Sequence, residues 1–139
     1  MHAPAGCAAS CSTEHRGCIS HSSVSGLIKG ASGCQEGNAI EVRNFGPNPQ
    51  TSVVEIAHNS LTDYQKTGIV CNGNANCDIH HNAVGASATQ ANLAANSVQS
   101  AFGATRVVST NKSGGNSWCA ASTVATAVLL FKKPHGSPS

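Results

Sequence analysis

Three six-residue stretches of this chain are near copies of one another, and this repetition limits its possible folds more than any other feature. The copies are residues 56–61 (IAHNSL), 79–84 (IHHNAV) and 108–113 (VSTNKS), with a weaker copy at residues 19–24 (ISHSSV). Successive copies begin 37, 23 and 29 residues apart. The mean spacing of about thirty residues is typical of folds that stack repeated units.

A second series of short apolar segments alternates with the first. Its central residues are Ile40, Ile69, Val98 and Val128, which lie 29, 29 and 30 residues apart. The two series keep a constant order along the chain and share one mean period. This agreement indicates a real structural repeat.

Both series alternate in the manner of β-strands, and Gly, Asn, Ser and Pro fill the segments between them. No helical periodicity is sustained. Strands this short bury an apolar face by stacking on the same strand of the next coil, so each period adds one rung to parallel sheets. The sequence therefore predicts an all-β fold, a right-handed parallel β-helix of about four coils.

Three motifs, IAHNSL, TGIVCNGNANCDIHHNAV and ANSVQSAFGATRVVSTN, extend this pattern over about residues 18–131. In them the chain resembles the right-handed parallel β-helix repeat proteins of the pectate-lyase-like superfamily, as a short or truncated member. The resemblance implies that Asn59, Asn82 and Asn111 stack at strand-ending turns, where Ser22 departs from the pattern. It also implies an extracellular or cell-surface location and a polysaccharide ligand.

The chain divides into three regions at the level of sequence. Residues 1–17 form a Cys-rich arm or cap, residues 18–131 the solenoid, and residues 132–139 a disordered tail of loop composition. Residues 1–30 lack the apolar core of a signal peptide, and the apolar run at residues 124–131 is far shorter than the roughly 20 residues that span a bilayer. We expect no membrane insertion.

Charge and aromatic content argue against nucleic-acid binding. Eight basic and six acidic residues are scattered along the chain, and only five side chains are aromatic. A nucleic-acid-binding surface needs a basic stripe and aromatic rings on which bases stack. The expected partner is a polysaccharide, and the open sheet edges of the first and last coils add a tendency to associate end to end.

Seven cysteines leave at least one thiol unpaired or bonded outside the chain. Cys71 and Cys77 enclose a turn-rich segment that can bring their sulfur atoms into bonding range. The alternative is a pair of buried thiols, because Cys71 falls at a core position of the repeat. The sequence leaves both states open.

Near the start of the chain, Cys7, Cys11, His15 and Cys18 supply three sulfur atoms and one nitrogen. This donor set suits a structural zinc ion, although the spacing is not that of a standard zinc motif. The alternative is an arm whose cysteines pair among themselves.

Stacking the repeats places Glu55 directly above Asp78, at a spacing of about 4.8 Å, with His80 two residues further on the same face. Two like charges this close are unfavourable unless a cation such as Ca²⁺ bridges them or one carboxyl keeps its proton. One hypothesis is therefore a cation site or acid–base chemistry on a sugar, with His80 assisting. The other is two solvated carboxylates that point apart.

The same stacking produces a column of His21, His58 and His81. Imidazole nitrogens suit zinc, copper or nickel. The alternative is a stacked polar edge with no ligand.

Three functional classes follow. The first is a module that binds polysaccharide without turnover, through a flat polar face and the loops at residues 44–50 and 85–92. The second is a lyase-like or epimerase-like enzyme, or its remnant, which Glu55, Asp78 and His80 would serve. The third is an ice-binding or structural solenoid, although the threonine rows of a flat ice-binding face are missing. We expect the first, because the aspartate clusters of β-helix glycosidases have no counterpart in this chain.

Overall fold

The computed structural model describes residues 16–28, 36–47, 50–86, 93–116 and 125–131, and this part of the chain contains β-strands and no helix. The strands in chain order are β1 Arg16–Ser20, β2 Ser23–Val24, β3 Asn38–Asn44, β4 Ser52–Ala57, β5 Ser60–Tyr64, β6 Thr67–Gly73, β7 Ala75–His80, β8 Ala83–Ala86, β9 Asn96–Ala101, β10 Thr105–Ser109, β11 Lys112–Gly114 and β12 Val128–Phe131. Within these residues there is accordingly no helix that is long and apolar enough to cross a membrane.

The strands form three parallel sheets of four strands each. Sheet 1 contains β1, β4, β7 and β10, sheet 2 contains β2, β5, β8 and β11, and sheet 3 contains β3, β6, β9 and β12. Every third strand of the chain thus returns to the same sheet, one rung along. This arrangement is consistent with a parallel β-helix solenoid, as the repeat predicts.

The register agrees with both repeat series. In sheet 1, Ile56 pairs with Ile19 on one side and Ile79 on the other, and Val108 pairs with Ile79. In sheet 3, consecutive pairs join Ile40, Ile69, Val98 and Val128. Most of these side chains point inward, and together with Leu61, Tyr64 and Val84 of sheet 2 they form the hydrophobic core. The period of the sequence is therefore the period of the solenoid.

The six-residue copies hold two strands each, a detail that the sequence pattern did not separate. Each copy ends a strand of sheet 1 and begins a strand of sheet 2, with a sharp corner between them. The corner residues His21, His58, His81 and Thr110 have φ values of 52°, 58°, 55° and 51°. One residue in this left-handed conformation turns the chain from one sheet to the next.

The asparagine after each corner satisfies backbone groups of neighbouring coils. The Nδ2 of Asn59 donates to the carbonyl of Ile19 at 2.8 Å, and the Nδ2 of Asn82 donates to that of Ile56 at 2.8 Å. The Oδ1 of Asn82 accepts the backbone N–H of Asn59 at 3.0 Å. Such side chains replace the partners that a buried corner would otherwise lack.

Asn111 and Ser22 occupy the ends of this asparagine ladder. The Oδ1 of Asn111 accepts the backbone N–H of Asn82 at 2.9 Å, and the Oδ1 of Asn59 accepts that of Ser22 at 3.0 Å. The backbone N–H of Ser22 therefore has an acceptor in the next coil, although Ser22 has no side-chain amide with which to continue the ladder.

A disulfide joins Cys71 in β6 to Cys77 in β7, across the corner between sheets 3 and 1. Both residues are fully buried. Of the two states that the sequence allows, the structure has the bonded one.

The proposed N-terminal and C-terminal regions fall mainly outside the described residues. The first described strand includes residues 16 and 17 of the expected arm, and the last described residue is Phe131. The expectations for residues 1–15 and 132–139 lie outside the described residues.

Candidate functional site

Glu55 and Asp78 lie on adjacent rungs of sheet 1 as direct register partners, and both side chains are exposed. Glu55 is paired with His80: its Oε1 lies 3.1 Å from the Nε2 of His80. Of the three residues proposed for cation binding or acid–base chemistry, the structure therefore brings together the carboxylate of Glu55 and the imidazole of His80.

The histidines at the corner between sheets 1 and 2 form a compact cluster. The ring of His58 stacks on that of His21 at a centroid distance of 5.1 Å and on that of His81 at 5.0 Å. His80 stands perpendicular to His81, at an interplanar angle of 88°, with the two Nδ1 atoms 2.8 Å apart. The sequence grouped His21 with His58 and His81; the structure adds His80 to them.

Three of these histidines could hold a metal ion. One ring nitrogen from each of His58, His80 and His81 lies within 4.8 Å of the others. His80 is partly buried, whereas His58 and His81 are exposed, so an ion could reach the cluster from solvent.

The zinc site proposed near the start of the chain lies largely outside the described residues. Cys7, Cys11 and His15 precede the first described strand. Cys18 lies in β1 and is exposed with a free thiol.

A second candidate site, which the sequence did not predict, is a cleft of about 270 Å³ at the outer face of sheet 3. Its lining residues are Asn38, Glu41, Arg43, Lys66, Val70, Asn72, Gln99 and Phe102. The strand register accounts for the centre of this set. Glu41, Val70 and Gln99 form one row across three coils, and Arg43 and Asn72 belong to the next row.

Both cations of the cleft have partners within it or beside it. Arg43 and Glu41 form a hydrogen-bonded ion pair, and both lie at the surface. The Nζ of Lys66 donates to the carbonyl of Ala94 at 3.3 Å. Burial lowers the pKa of Lys66 because it disfavours the charged ammonium group.

Two amide oxygens in the cleft have unfilled hydrogen-bonding capacity. The Oδ1 atoms of Asn38 and Asn72 are buried and accept no hydrogen bond from the described part of the protein. Asn72 as a whole is only 5% exposed. A buried polar atom of this kind costs free energy until a ligand or water donates to it.

Two phenylalanines lie together at one end of the cleft region. Phe45 and Phe102 are 57% and 44% exposed, and their rings meet edge to face at a centroid distance of 5.8 Å. Gly73 lies beside them on the intermediate coil, with φ +80°, and a Cβ there would come within 2.9 Å of the Phe45 ring. The nearest atom to that Cβ would be the carbonyl oxygen of Asn44 at 2.1 Å, so the glycine allows the backbones of two coils to approach closely beside the ring pair.

The sequence contained a signal for this pair that a search for local motifs does not detect. Phe45 and Phe102 each directly follow a sheet 3 strand, two coils apart. Of the loops expected to bind a ligand, residues 44–50 include Phe45, although residues 48–49 are not described, and residues 87–92 of the second loop are likewise outside the described part.

No protein-family model matches this chain, and no curated protein or solved structure matches it either. The function is therefore inferred from the geometry of the described residues.

Proposed function

We propose that this protein is an extracellular module, a right-handed parallel β-helix of the pectate-lyase-like kind, that binds polysaccharide without cleaving it. The observation that carries the proposal is the cleft on sheet 3. Its lining combines an exposed aromatic ring, two cationic side chains and two asparagines whose buried amide oxygens have no partner among the described residues. Sites on strands hold their side chains more precisely than sites on loops.

The composition of the cleft suits a sugar that carries a carboxylate. The apolar face of a pyranose ring can pack on Phe102, whose ring exposes apolar surface to solvent. Arg43 offers the planar guanidinium that pairs with carboxylates, and Lys66 offers an ammonium group. We therefore expect uronate polymers to bind more tightly than neutral glucans.

The asparagine side chains of the cleft lining would be the partners of sugar hydroxyls. A hydroxyl group can donate to one acceptor while its oxygen accepts from another donor. The Oδ1 of Asn72 has almost no accessible surface, so a sugar hydroxyl would donate to it only after the side chain turns toward the cleft. An unsatisfied buried acceptor costs about 1–3 kcal/mol, so this one interaction could contribute measurably to affinity.

The size of the cleft sets the scale of the ligand. At about 270 Å³ it is close to the lower end of ligand pockets, which begin near roughly 300 Å³. A cleft of this size accommodates about one sugar ring, and an extended polymer would continue along the sheet on either side.

The positions of the acid–base groups support the proposal of binding without turnover. Glu41 is the carboxylate of the cleft lining, and it is paired with Arg43. Glu55 and His80 belong to sheet 1 and the corner that follows it. Among the described lining residues there is thus no pair of free carboxylates, on which glycoside hydrolysis usually depends.

The test is a binding measurement with polygalacturonate, alginate and a neutral glucan, each with and without calcium. Phe102→Ala should weaken uronate binding by about tenfold, since a lost aromatic contact is worth up to roughly 1.5 kcal/mol. Val107→Ala is the control, because Val107 is also an exposed apolar side chain but lies on sheet 1, away from the cleft lining. Arg43→Met should reduce the preference for uronates over neutral glucans.

Two outcomes would contradict the proposal. Equal affinities of the Phe102 and Val107 variants would show that the cleft is not the binding surface. The second outcome is release of shortened or unsaturated uronate chains by the unaltered protein but not by the Glu55→Gln or Asp78→Asn variant. This result would favour the lyase-like enzyme over the binding module.

A further inference from the structure

Corner geometry places three histidine rings around one point outside the cleft. His58 and His81 occupy equivalent corners of successive coils, so their rings project in the same direction and lie nearly parallel, with an interplanar angle of 15°. His80 immediately precedes the second corner, and its ring is perpendicular to both of the others, at 88° to each. The cluster is a product of the coil repeat and of one additional histidine.

The contact between His80 and Glu55 determines which nitrogen of His80 is available. The carboxylate oxygen is an acceptor, so the Nε2 of His80 carries the proton that it donates to Glu55. In neutral imidazole the other nitrogen, Nδ1, then has a free lone pair. A carboxylate bonded in this way is the usual partner of a metal-ligating histidine, because it fixes both the tautomer and the ring orientation.

The free Nδ1 of His80 points at the Nδ1 of His81, 2.8 Å away. Two nitrogens facing each other at this distance must share either a proton or a cation. A proton can bridge only two nitrogens, whereas a metal ion can bind a third as well. His58 brings a third nitrogen within 4.8 Å of both.

We propose that His58, His80 and His81 bind a divalent transition-metal ion of the Zn²⁺, Cu²⁺ and Ni²⁺ class, and that Glu55 is a positioning residue for His80. Three imidazole nitrogens favour these ions over Ca²⁺ and Mg²⁺, which take oxygen ligands. Three protein ligands also leave a coordination position for water or another ligand.

Modest side-chain rotation suffices to reach coordination geometry. Nitrogen atoms about 2.0–2.1 Å from a tetrahedral metal are separated by roughly 3.3 Å from one another. The present nitrogen separations extend from 2.8 Å to at most 4.8 Å, on both sides of that value. The two corner histidines are exposed, so their rings can turn without disturbing the core.

The fourth histidine of the corner provides a matched control. His21 has the same left-handed backbone and stacks on His58 at 5.1 Å, yet it is not a member of the group whose nitrogens converge. Asparagine tolerates positive φ, so it can replace a corner histidine without straining the backbone. The imidazole alone is therefore removed in the variants His21→Asn, His58→Asn and His81→Asn.

The experiment is titration of the full chain with Zn²⁺, Ni²⁺ and Cu²⁺ by calorimetry, after alkylation of accessible thiols so that cysteines do not compete. We expect one equivalent of metal to bind. His58→Asn, His80→Gln and His81→Asn should each weaken binding by about tenfold or more, and Glu55→Gln by roughly tenfold. His21→Asn should change the dissociation constant by less than about threefold, since it removes no ligand.

Electron paramagnetic resonance of the Cu²⁺-loaded protein supplies an independent readout. Hyperfine coupling should report nitrogen ligands and should lose one nitrogen in each of the three ligand variants. Unfolding midpoints measured in the presence of a chelator separate loss of the ligand from loss of the fold.

Metal affinity that is unchanged in the three ligand variants, or reduced equally in His21→Asn, would overturn the site. Neither result bears on the cleft of sheet 3, which shares no residue with the cluster.

Discussion

Asn82 is the central member of the asparagine ladder, and it serves three coils at once. Its Nδ2 donates to the carbonyl of Ile56 on the preceding coil and to the Oδ1 of Asn111 on the following one. Its Oδ1 accepts from both the backbone and the side chain of Asn59. The residue is 1% exposed, so water cannot replace these bonds.

We expect Asn82→Ala to lower the free energy of unfolding by about 2–4 kcal/mol, because it leaves several buried groups without partners at about 1–3 kcal/mol each. Urea denaturation measures the change. Asn111→Ala is the control: Asn111 is partly exposed, so water can replace some of its bonds, and the loss should be about 1 kcal/mol. Equal losses at the two positions would contradict the role of burial in the ladder.

Tyr64 is the single tyrosine of the chain, and its side chain is fully buried. Burial raises the pKa of the Tyr64 hydroxyl above 10.0, because it disfavours the phenolate. Above pH 10 the unfolded chain therefore loses a proton that the folded protein keeps. Well below pH 10 the ionisation of Tyr64 therefore does not change the free energy of unfolding, and above pH 10 it lowers that free energy as the pH rises.

We expect Tyr64→Phe to reduce this alkaline loss of stability. Urea midpoints of the two proteins should diverge between pH 9 and pH 11, where the tyrosine contributes a slope of up to about 1.4 kcal/mol per pH unit. Phenolate absorbance gives a direct check, because it should appear together with unfolding. Ionisation of Tyr64 near pH 10 in protein that remains folded would contradict the prediction.

At the residue scale, the sequence revealed groups whose position follows from the repeat alone. Asn59, Asn82 and Asn111 each follow a corner, and counting along the chain is enough to align them. The contact of His80 with Glu55 depends on side-chain conformation, which an alignment of the repeats does not provide. The same limit explains why Asp78, the register partner of Glu55, takes no part in that contact.

At the scale of strands, the two series of the sequence become three sheets because a single residue makes the corner in each six-residue copy. The change of direction occurs at His58 and His81 without any glycine or proline to mark it. Asn59 and Asn82 directly follow these corners and favour turns, but they do not show that the chain enters a second sheet there. Asp63 in β5 is a similar case: it has φ 54° and shifts the register by one residue between Thr62 and Tyr64.

The disulfide joins β6 to β7 at the corner between sheets 3 and 1. Cys71 and Cys77 are six residues apart, and closing so short a loop in the unfolded chain corresponds to about 2–3 kcal/mol. We expect the Cys71→Ala, Cys77→Ala double variant to lose about that much stability in urea denaturation. The double change avoids leaving one reactive thiol.

Cys18→Ser is the control for this experiment, since Cys18 is exposed and its thiol is free. It should shift stability by less than about 0.5 kcal/mol. If a reductant leaves the denaturation midpoint of the unaltered protein unchanged, the bridge does not contribute to stability.

At the scale of the whole molecule, stability is distributed along the solenoid because each coil packs on its neighbours. The register was predictable across all four rungs of sheets 1 and 3, since similar six-residue copies align sheet 1 and a period of 29 or 30 residues aligns sheet 3. The cleft was not predictable from the sequence, because its shape depends on how side chains from several coils, such as Arg43, Lys66 and Phe102, are arranged above a sheet. Such three-dimensional packing has no signature in a one-dimensional period.

Burial differs strongly between central and outer strands. Every residue of β6 is buried, and β6 pairs with a strand on each side. Every residue of β11 is exposed, and β11 pairs with β8 alone in the described structure. Because coils of a solenoid are stabilised by their neighbours, opening should begin at the outer coils.

We therefore expect native-state hydrogen exchange to be slowest for β6 and β7 and fastest for β11. Exchange of β6 amides should require global unfolding, so their opening free energies should equal the value from urea denaturation. The amides of β11 should open at a lower free energy that is nearly independent of denaturant, as fraying exposes little surface. Uniform protection from β6 to β11 would instead mean that the coils unfold as one unit and that stability is not assembled from neighbouring pairs.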